Sequence, residues 1–167
     1  KIVAYHDRGN PTYLKTIAKD HTFYKQQGSS LGQRLYNAFV FARDQGAAKT
    51  VIIGSDAPDL PLSYIKTAFR KLSSYDVIFG PSRDGGYYLV GLKMPLRNIF
   101  QNIEWSSSEV LNQSLAKAKK AKKNVYLLKP WQDVDCCDDL ERLKKILKKN
   151  KSTATNTRIF LYGKSSE

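Results

Sequence analysis

The acidic residues that could do chemistry stand in three short runs, each close behind an apolar stretch. Gly54-Ser55-Asp56-Ala57-Pro58-Asp59 follows Thr50-Val51-Ile52-Ile53. Arg83-Asp84-Gly85-Gly86-Tyr87-Tyr88 follows Val77-Ile78-Phe79, and Gln132-Asp133-Val134-Asp135 follows Val125-Tyr126-Leu127-Leu128. Paired carboxylates can serve a hard divalent cation, since Mg²⁺ takes one or two of them and leaves its other positions to water and substrate phosphate oxygens. Asp56 is read as such a ligand, with one carboxylate of the Asp133/Asp135 pair reaching the same cation; its alternative is a residue that shapes the turn. Asp59 is read as negative charge at the N-terminus of the next helix. The Asp84-Gly85-Gly86 step carries two readings. It is a hairpin turn between strands, or a flexible loop whose backbone approaches a ligand closely, with Asp84 and Tyr87 as polar contacts. The last run has its own alternative, helix capping ahead of Asp138 and Asp139.

Other chemistries lack their residues. Cys136 and Cys137 have no second pair and no neighbouring histidines, so they do not make a zinc site. No G-x-S-x-G elbow, Walker loop or G-x-G-x-x-G occurs.

Short β-like runs that alternate with helical patterns must position these residues. Strands are expected at Ile2-Tyr5, Thr22-Tyr24, Thr50-Gly54, Asp76-Gly80, Tyr87-Leu92 and Val125-Leu128, with Gly9-Asn10-Pro11 stopping the first. Ser30 with Gln33 fits a capping box for a helix whose Leu31, Leu35, Phe39 and Ala42 share a face, and Gly46 stops it. Further helices are expected from Pro61 to Leu72, behind a Ser106/Glu109 capping box, and from Asp138 to Lys148. Ser152 to Asn156 reads as a polar linker, and Arg158 to Tyr162 as a final strand ended by Gly163. The alternation implies an α/β fold, a mostly parallel sheet with helices on both faces. In such sheets ligands bind beyond the carboxyl ends of the strands, where the acidic runs lie.

The chain has 167 residues, 28 Lys+Arg and 15 Asp+Glu, for a net charge of +13. The length fits one domain, residues 1–150, with a tail at 151–167. A hydrophobic content of 41% argues against disorder. No run approaches the ~18 apolar residues of a membrane span, and the start has no signal-peptide h-region. The expectation is a soluble cytoplasmic protein that does not engage membranes. The lysines of 117–123 and 144–151 extend helical patterns, where cations suit helix C-termini, and no aromatic residues interleave with them. They are read as solvated helix surface rather than a nucleic-acid interface.

Five segments, taken in order, carry a resemblance: Gly28-Ser29-Ser30-Leu31-Gly32-Gln33-Arg34-Leu35, Ile53-Gly54-Ser55-Asp56-Ala57-Pro58-Asp59-Leu60, Gly80 through Leu92 with its Asp-Gly-Gly-Tyr-Tyr core, Ile103-Glu104-Trp105-Ser106-Ser107, and Asp133-Val134-Asp135 before Asp139-Leu140. Over roughly residues 1–147 the chain resembles the bacterial radical-SAM/selenodomain-associated transferases, which are glycosyltransferase-A-like members of the nucleotide-diphospho-sugar transferase superfamily. The resemblance implies a Rossmann-like glycosyltransferase-A fold, a nucleotide-linked small-molecule substrate and Mg²⁺ or Mn²⁺ on diphosphate oxygens. It implies Asp56 and Asp135 as metal ligands, Arg34 as a phosphate donor, and Asp84 as the residue that orients or deprotonates an acceptor hydroxyl. Ser55, Gly85, Gly86, Tyr87, Trp105 and Ser106 complete the implied substrate site. Glycosyl transfer from a nucleotide sugar is the leading activity it implies, with a nucleotidyltransferase and a catalytically inactive binding module as alternatives.

The chain departs from that family twice. Cys136-Cys137 stands where relatives have Thr-Pro, which predicts a weaker helix cap. The chain also begins at what would be the relatives' second strand, without their first strand and nucleotide-gripping loop. Either the chain is a fragment or truncated product, or another segment fills the gap, with Arg158 to Tyr162 as the candidate strand, supplied in cis or by a second copy in a homodimer.

Overall fold

The computed structural model describes residues 1–6, 11–150 and 153–163. The elements run β1 (Ile2–Tyr5), α1 (Pro11–Ile17), β2 (Thr22–Lys25), α2 (Leu31–Asp44), β3 (Thr50–Ile53), α3 (Leu62–Lys71), β4 (Val77–Pro81), β5 (Tyr87–Leu92), a 3₁₀ turn (Arg97–Phe100), α4 (Val110–Lys120), β6 (Val125–Leu127), α5 (Cys137–Lys149) and α6 (Thr155–Tyr162).

β1 and β2 pair in parallel as a two-stranded sheet. The main sheet has the order β3-β5-β4-β6. β5 runs antiparallel to both β3 and β4, while β4 and β6 are parallel. Three strands therefore share one direction, and β5 inserts against it as the return arm of a β4–β5 hairpin. The carboxyl ends of β3, β4 and β6 consequently fall along one rim, together with the start of β5. Among the described residues, β3 has no ladder partner on its side away from β5.

The two faces of this sheet are packed separately. On one face Val77, Phe79, Val90 and Leu92 meet Phe39 of α2, Ala118 of α4, and Ile99 and Phe100 of the 3₁₀ turn. On the other, Ile78 and Leu89 meet Ala68 of α3 and Leu72. Each fully buried large side chain here contributes roughly 1.5–3 kcal/mol by leaving water. A β-bulge breaks the alternation, since Gly80 pairs with Leu89 but Pro81 pairs with Tyr87. Tyr88 is the extra residue, which turns its ring onto the α3 face while Tyr87 faces the other. The ring lies so close over Gly80 that a Cβ there would stand 2.4 Å from Tyr88 Cζ.

Local signals account for most element ends. Ser30 Oγ accepts from Gln33 N at 3.3 Å, and Gln33 Oε1 accepts from Ser29 N at 2.9 Å, which caps α2 reciprocally. Gly46, at φ +86, ends the same helix in the left-handed region. The last turns of α4 and α5 carry Lys117, Lys119 and Lys120, and Lys148 and Lys149, as their helix dipoles favour.

Five expectations need amendment. Arg158–Tyr162 is the body of helix α6, not a strand, so it fills no sheet position. Arg158 N donates to Ala154 O, Gly163 N donates to Ile159 O, and Tyr162 Oη donates to Lys144 O at 3.1 Å, tying the helix to α5. A short apolar run reads equally as strand or buried helix, and here no edge received it as a strand. Ser106 does not open α4. It sits at φ +67 in the preceding loop, Ser107 Oγ accepts from Glu109 N, and the helix begins at Val110. Pro11 begins α1 rather than only ending a strand, which suits a residue without an N–H at a first helical position. Gly9 and Asn10 lie outside the described residues, as does Ser152 of the expected linker, whose Thr155 and Asn156 belong to α6. The α5 cap does form: Asp139 Oδ2 accepts from Cys136 N at 3.3 Å and lies 3.1 Å from Cys136 Sγ, so a thiol completes the box.

Candidate active site

Each strand of the shared direction delivers one acidic run to the rim. Asp56 follows β3, Asp84 lies in the β4–β5 turn, and Asp133 and Asp135 follow β6. The first and last runs are stitched together by Val134 N donating to Asp56 O at 2.8 Å. Asp133 and Asp135 both feel the other acids of the rim. Burial first, then Asp56, Asp135, Asp84 and Asp139, push the Asp133 carboxyl up from 3.8 to about 6. Asp135 is raised for the same reasons, burial first and then Asp56, Asp84 and Asp139. Asp133 Oδ1 is buried and meets no hydrogen-bond donor.

The supports of this cluster are specific. The bare Gly54 backbone leaves the Asp56 carboxylate its place, because a Cβ there would stand 2.4 Å from Asp56 Oδ1 and push that side chain aside. Asp84 Oδ1 accepts from Gly86 N at 3.0 Å and from the Ser82 hydroxyl, and Ser82 N donates to Gly86 O. The turn is thus a hairpin that Asp84 helps to shape, and its Oδ2 remains for other work. Gly85, at φ +90, lies against Ser108, where a Cβ would stand 2.1 Å from the Ser108 carbonyl oxygen. Arg142 of α5 donates to the carbonyls of Gln132 and Asp133 at 3.4 and 3.2 Å, holding the last run. Asp139 accepts from the Cys136 thiol and from Asp135 N, which holds its carboxyl below the usual range.

Asp59 departs from the reading as surface charge at a helix end. It is 2% exposed, and its Oδ1 accepts from Trp131 Nε1 at 3.2 Å. Trp131 N donates to Pro81 O and its ring packs edge-on to Tyr64, centroids 5.2 Å apart. Asp59 and Trp131 therefore clamp the segments after β3 and β6 beneath the rim. Tyr88 Oη adds a tie to Lys129 O at 3.0 Å, and burial pushes its phenol well up, with Tyr64 and Asp133 adding to the rise.

The other sequence-derived site residues lie around this centre. Ser55 is exposed beside Asp56. Tyr87 packs on Phe79, centroids 4.9 Å apart, and burial raises its phenol, with the Ser114 hydroxyl opposing. Trp105 meets Tyr87 edge-on at 6.4 Å, placing the Trp105-Ser106 loop beside the Gly85-Gly86 turn. Arg34 is not brought to the carboxylates by any contact. It lies on α2, and its Nε donates to Gly28 O at 3.1 Å. Asp59, Trp131 and Arg142 carry weight that the sequence reading missed; only the i,i+3 spacing of Asp139 and Arg142 hinted at the last.

The donor set suits a divalent cation in a limited way. Clustered carboxylates with raised proton affinity are a place where a cation relieves repulsion. Among the described residues, however, no group of three or more His, Cys, Asp or Glu side chains is arranged to hold a metal by itself.

Residues 1–107 match the profile of a family described as uncharacterized proteins conserved in bacteria, DUF2064. The chain belongs to this DUF2064 family. No curated protein sequence matches it. Among solved structures it is similar to a provisionally assigned nucleotide-diphospho-sugar transferase from Desulfovibrio desulfuricans, at TM-score 0.82 and 35% identity over 88% of this chain. The chain spans 66% of that protein's length. It is also similar to the bifunctional IspDF of Campylobacter jejuni, at TM-score 0.56 and 13% identity, over 86% of this chain and 41% of that one; this second likeness speaks to the fold alone. The DUF2064 chain thus has an α/β, glycosyltransferase-A-like fold of the nucleotide-diphospho-sugar transferase type. Among its described residues no helix is long and apolar enough to cross a membrane.

Proposed function

We propose that this chain is a transferase acting on a nucleotide-linked donor, of the radical-SAM/selenodomain-associated kind, with glycosyl transfer from a nucleotide sugar as its reaction. The observation that supports it is the convergence of Asp56, Asp84, Asp133 and Asp135 on the rim where β3, β4 and β6 end, with Val134 N bonded to Asp56 O. Asp56 and Asp135 would hold Mg²⁺ or Mn²⁺ there. A bound divalent cation supplies charge neutralisation at the diphosphate leaving group.

The chain's own residues have separate tasks. Arg142, by holding the Gln132 and Asp133 carbonyls, keeps the Asp133–Asp135 segment facing the rim. Asp84 keeps one oxygen in its turn and presents the other to an acceptor hydroxyl, which it orients and whose proton it takes. The side-chain-free Gly85 lets the turn pack against Ser108, which fixes the backbone on which Asp84 stands.

The test is titration calorimetry with Mn²⁺ and a panel of nucleoside diphosphates and triphosphates, on the wild type and Asp56→Ala. The expected result is Mn²⁺-dependent diphosphate binding that Asp56→Ala weakens at least tenfold, about 1.4 kcal/mol. A triphosphate preference would favour nucleotidyl transfer instead. Equal binding by wild type and variant would leave the reading without its site.

A further inference from the structure

A second concavity lies apart from the carboxylate rim, and no role has been assigned to it. It is a cleft of about 610 Å³ between the first turns of α2 and the 97–105 segment. Gly32 makes it possible. A Cβ at that position would stand 2.2 Å from Phe100 O and 3.1 Å from the Trp105 ring, so the helix and the segment touch there and splay apart beside the contact. The chemistry of the walls is consistent. Gln33, Tyr36, Asn37, Arg97, Asn102 and Trp105 face the space, and no carboxylate lines it.

Each of these groups has capacity to spare. Gln33 uses its oxygen on Ser29, and Asn37 uses its nitrogen on Gln27 O, so each amide keeps its opposite end. The Arg97 guanidinium lies over the Tyr36 ring, 5.1 Å from its centroid, and forms no ion pair among the described residues. Stacked in this way it is pre-oriented to present a planar fork to an anion. Amide ends and an indole N–H suit hydroxyl groups, and aromatic faces suit the C–H face of a ring.

The position is as informative as the chemistry. Trp105, a wall of the cleft, meets Tyr87 edge-on at 6.4 Å. Tyr87 directly follows Gly85-Gly86, and Leu111 N donates to Gly85 O, so the 105–111 loop and the Asp84 turn form one unit. Trp105 and Tyr87 thus link this wall of the cleft to the turn that carries Asp84.

We propose that this cleft is the subsite for the second substrate, a hydroxyl-rich small molecule that carries a carboxylate or phosphate held by Arg97. The proposal rests on the transferase reading for the words "second substrate", but not for the binding itself.

Saturation-transfer NMR and calorimetry on the full chain test it, with glucose 6-phosphate, gluconate and glucose as probes. The expected result is saturable binding of one of the two anionic probes, weaker binding of glucose, and at least tenfold loss in Arg97→Gln. Arg97 is exposed, so the substitution does not disturb the core. Glucose 6-phosphate preferred over gluconate would identify a phosphorylated acceptor, and the reverse a sugar acid. Asp56→Ala should leave this binding intact while it abolishes Mn²⁺-dependent nucleotide binding. Three results would overturn the proposal: no saturable binding up to about 10 mM, binding indifferent to Arg97→Gln, or direct competition between the probe and a nucleoside diphosphate. If the probes bind at Arg97 but no nucleotide binds at Asp56, the transferase reading fails and the cleft stands.

Discussion

Asp133 offers the sharpest test of the electrostatics at the rim. Its carboxyl is lifted to about 6 by burial and by the facing carboxylates Asp56, Asp135 and Asp84. An acid with a raised folded-state value prefers its proton in the folded protein. Between the unfolded value of 3.8 and about 6 the native state therefore binds more protons than the unfolded chain, and stability falls as pH rises through that window. For a fully buried group the lift corresponds to about 3 kcal/mol. Asp133 is only half-buried, so solvent screening reduces this to roughly 1–2 kcal/mol at neutral pH. Asp133→Asn removes the charge and keeps the shape. It should be more stable than wild type at pH 7.5 by roughly 1–2 kcal/mol, a rise in melting temperature of about 2–8 °C for a chain of this size. At pH 3.8 most of the advantage should be gone, because folded wild-type Asp133 is then neutral and the unfolded chain's Asp133 is half protonated. Thermal melts by circular dichroism at pH 3.8, 5 and 7.5 read this directly, in buffers free of divalent metal. A variant that is less stable at pH 7.5, or whose advantage does not change with pH, would refute the idea that the rim carboxylates repel one another.

Two further substitutions separate the site from its scaffold. Gly54→Ala forces the Asp56 carboxylate aside but meets only that flexible side chain, so Mn²⁺ binding should weaken at least tenfold while stability changes by less than about 1 kcal/mol; calorimetry and urea melts together check this. Trp131→Phe removes the indole N–H that donates to buried Asp59, which should cost about 1–3 kcal/mol in urea denaturation, with Asp59→Asn restoring part of the loss.

Much of this architecture could be read from residue order because its strands are short β-branched or aromatic runs bounded by turn residues. Val77–Phe79 and Tyr87–Leu92 are buried on both faces, and such runs announce themselves as continuous apolar stretches. The α5 boundaries fell within one residue because Asp138, Asp139 and the closing lysines mark its dipole. Where signals were local but ambiguous, the reading failed. Ile159 to Tyr162 fits either period, and Ser106 looked like a cap although the loop turns through a left-handed residue there. At the site, acids beyond strand ends were visible because strand direction alone sends them to one rim. The Asp59–Trp131 clamp was not, since it joins residues 72 positions apart and neither carries a spacing signal. The bulge at Tyr88 was likewise hidden, because two adjacent tyrosines read as ordinary alternation until the register shows one of them to be extra.

The side of β3 that has no ladder partner among the described residues has a consequence for how the protein behaves in the tube. Thr50-Val51-Ile52-Ile53 is entirely β-branched and contains no proline or charge, and Ile53 is 45% exposed. A bare row of amide and carbonyl groups on such a strand is a template for strand addition. The nearest charge, Lys49, is drawn away to the Ser73 hydroxyl. Two copies that met at this edge around a twofold axis would pair antiparallel and join their four-stranded sheets into one continuous eight-stranded sheet. A single lysine placed at Ile53, next to the rim, is the substitution that would keep concentrated samples monodisperse.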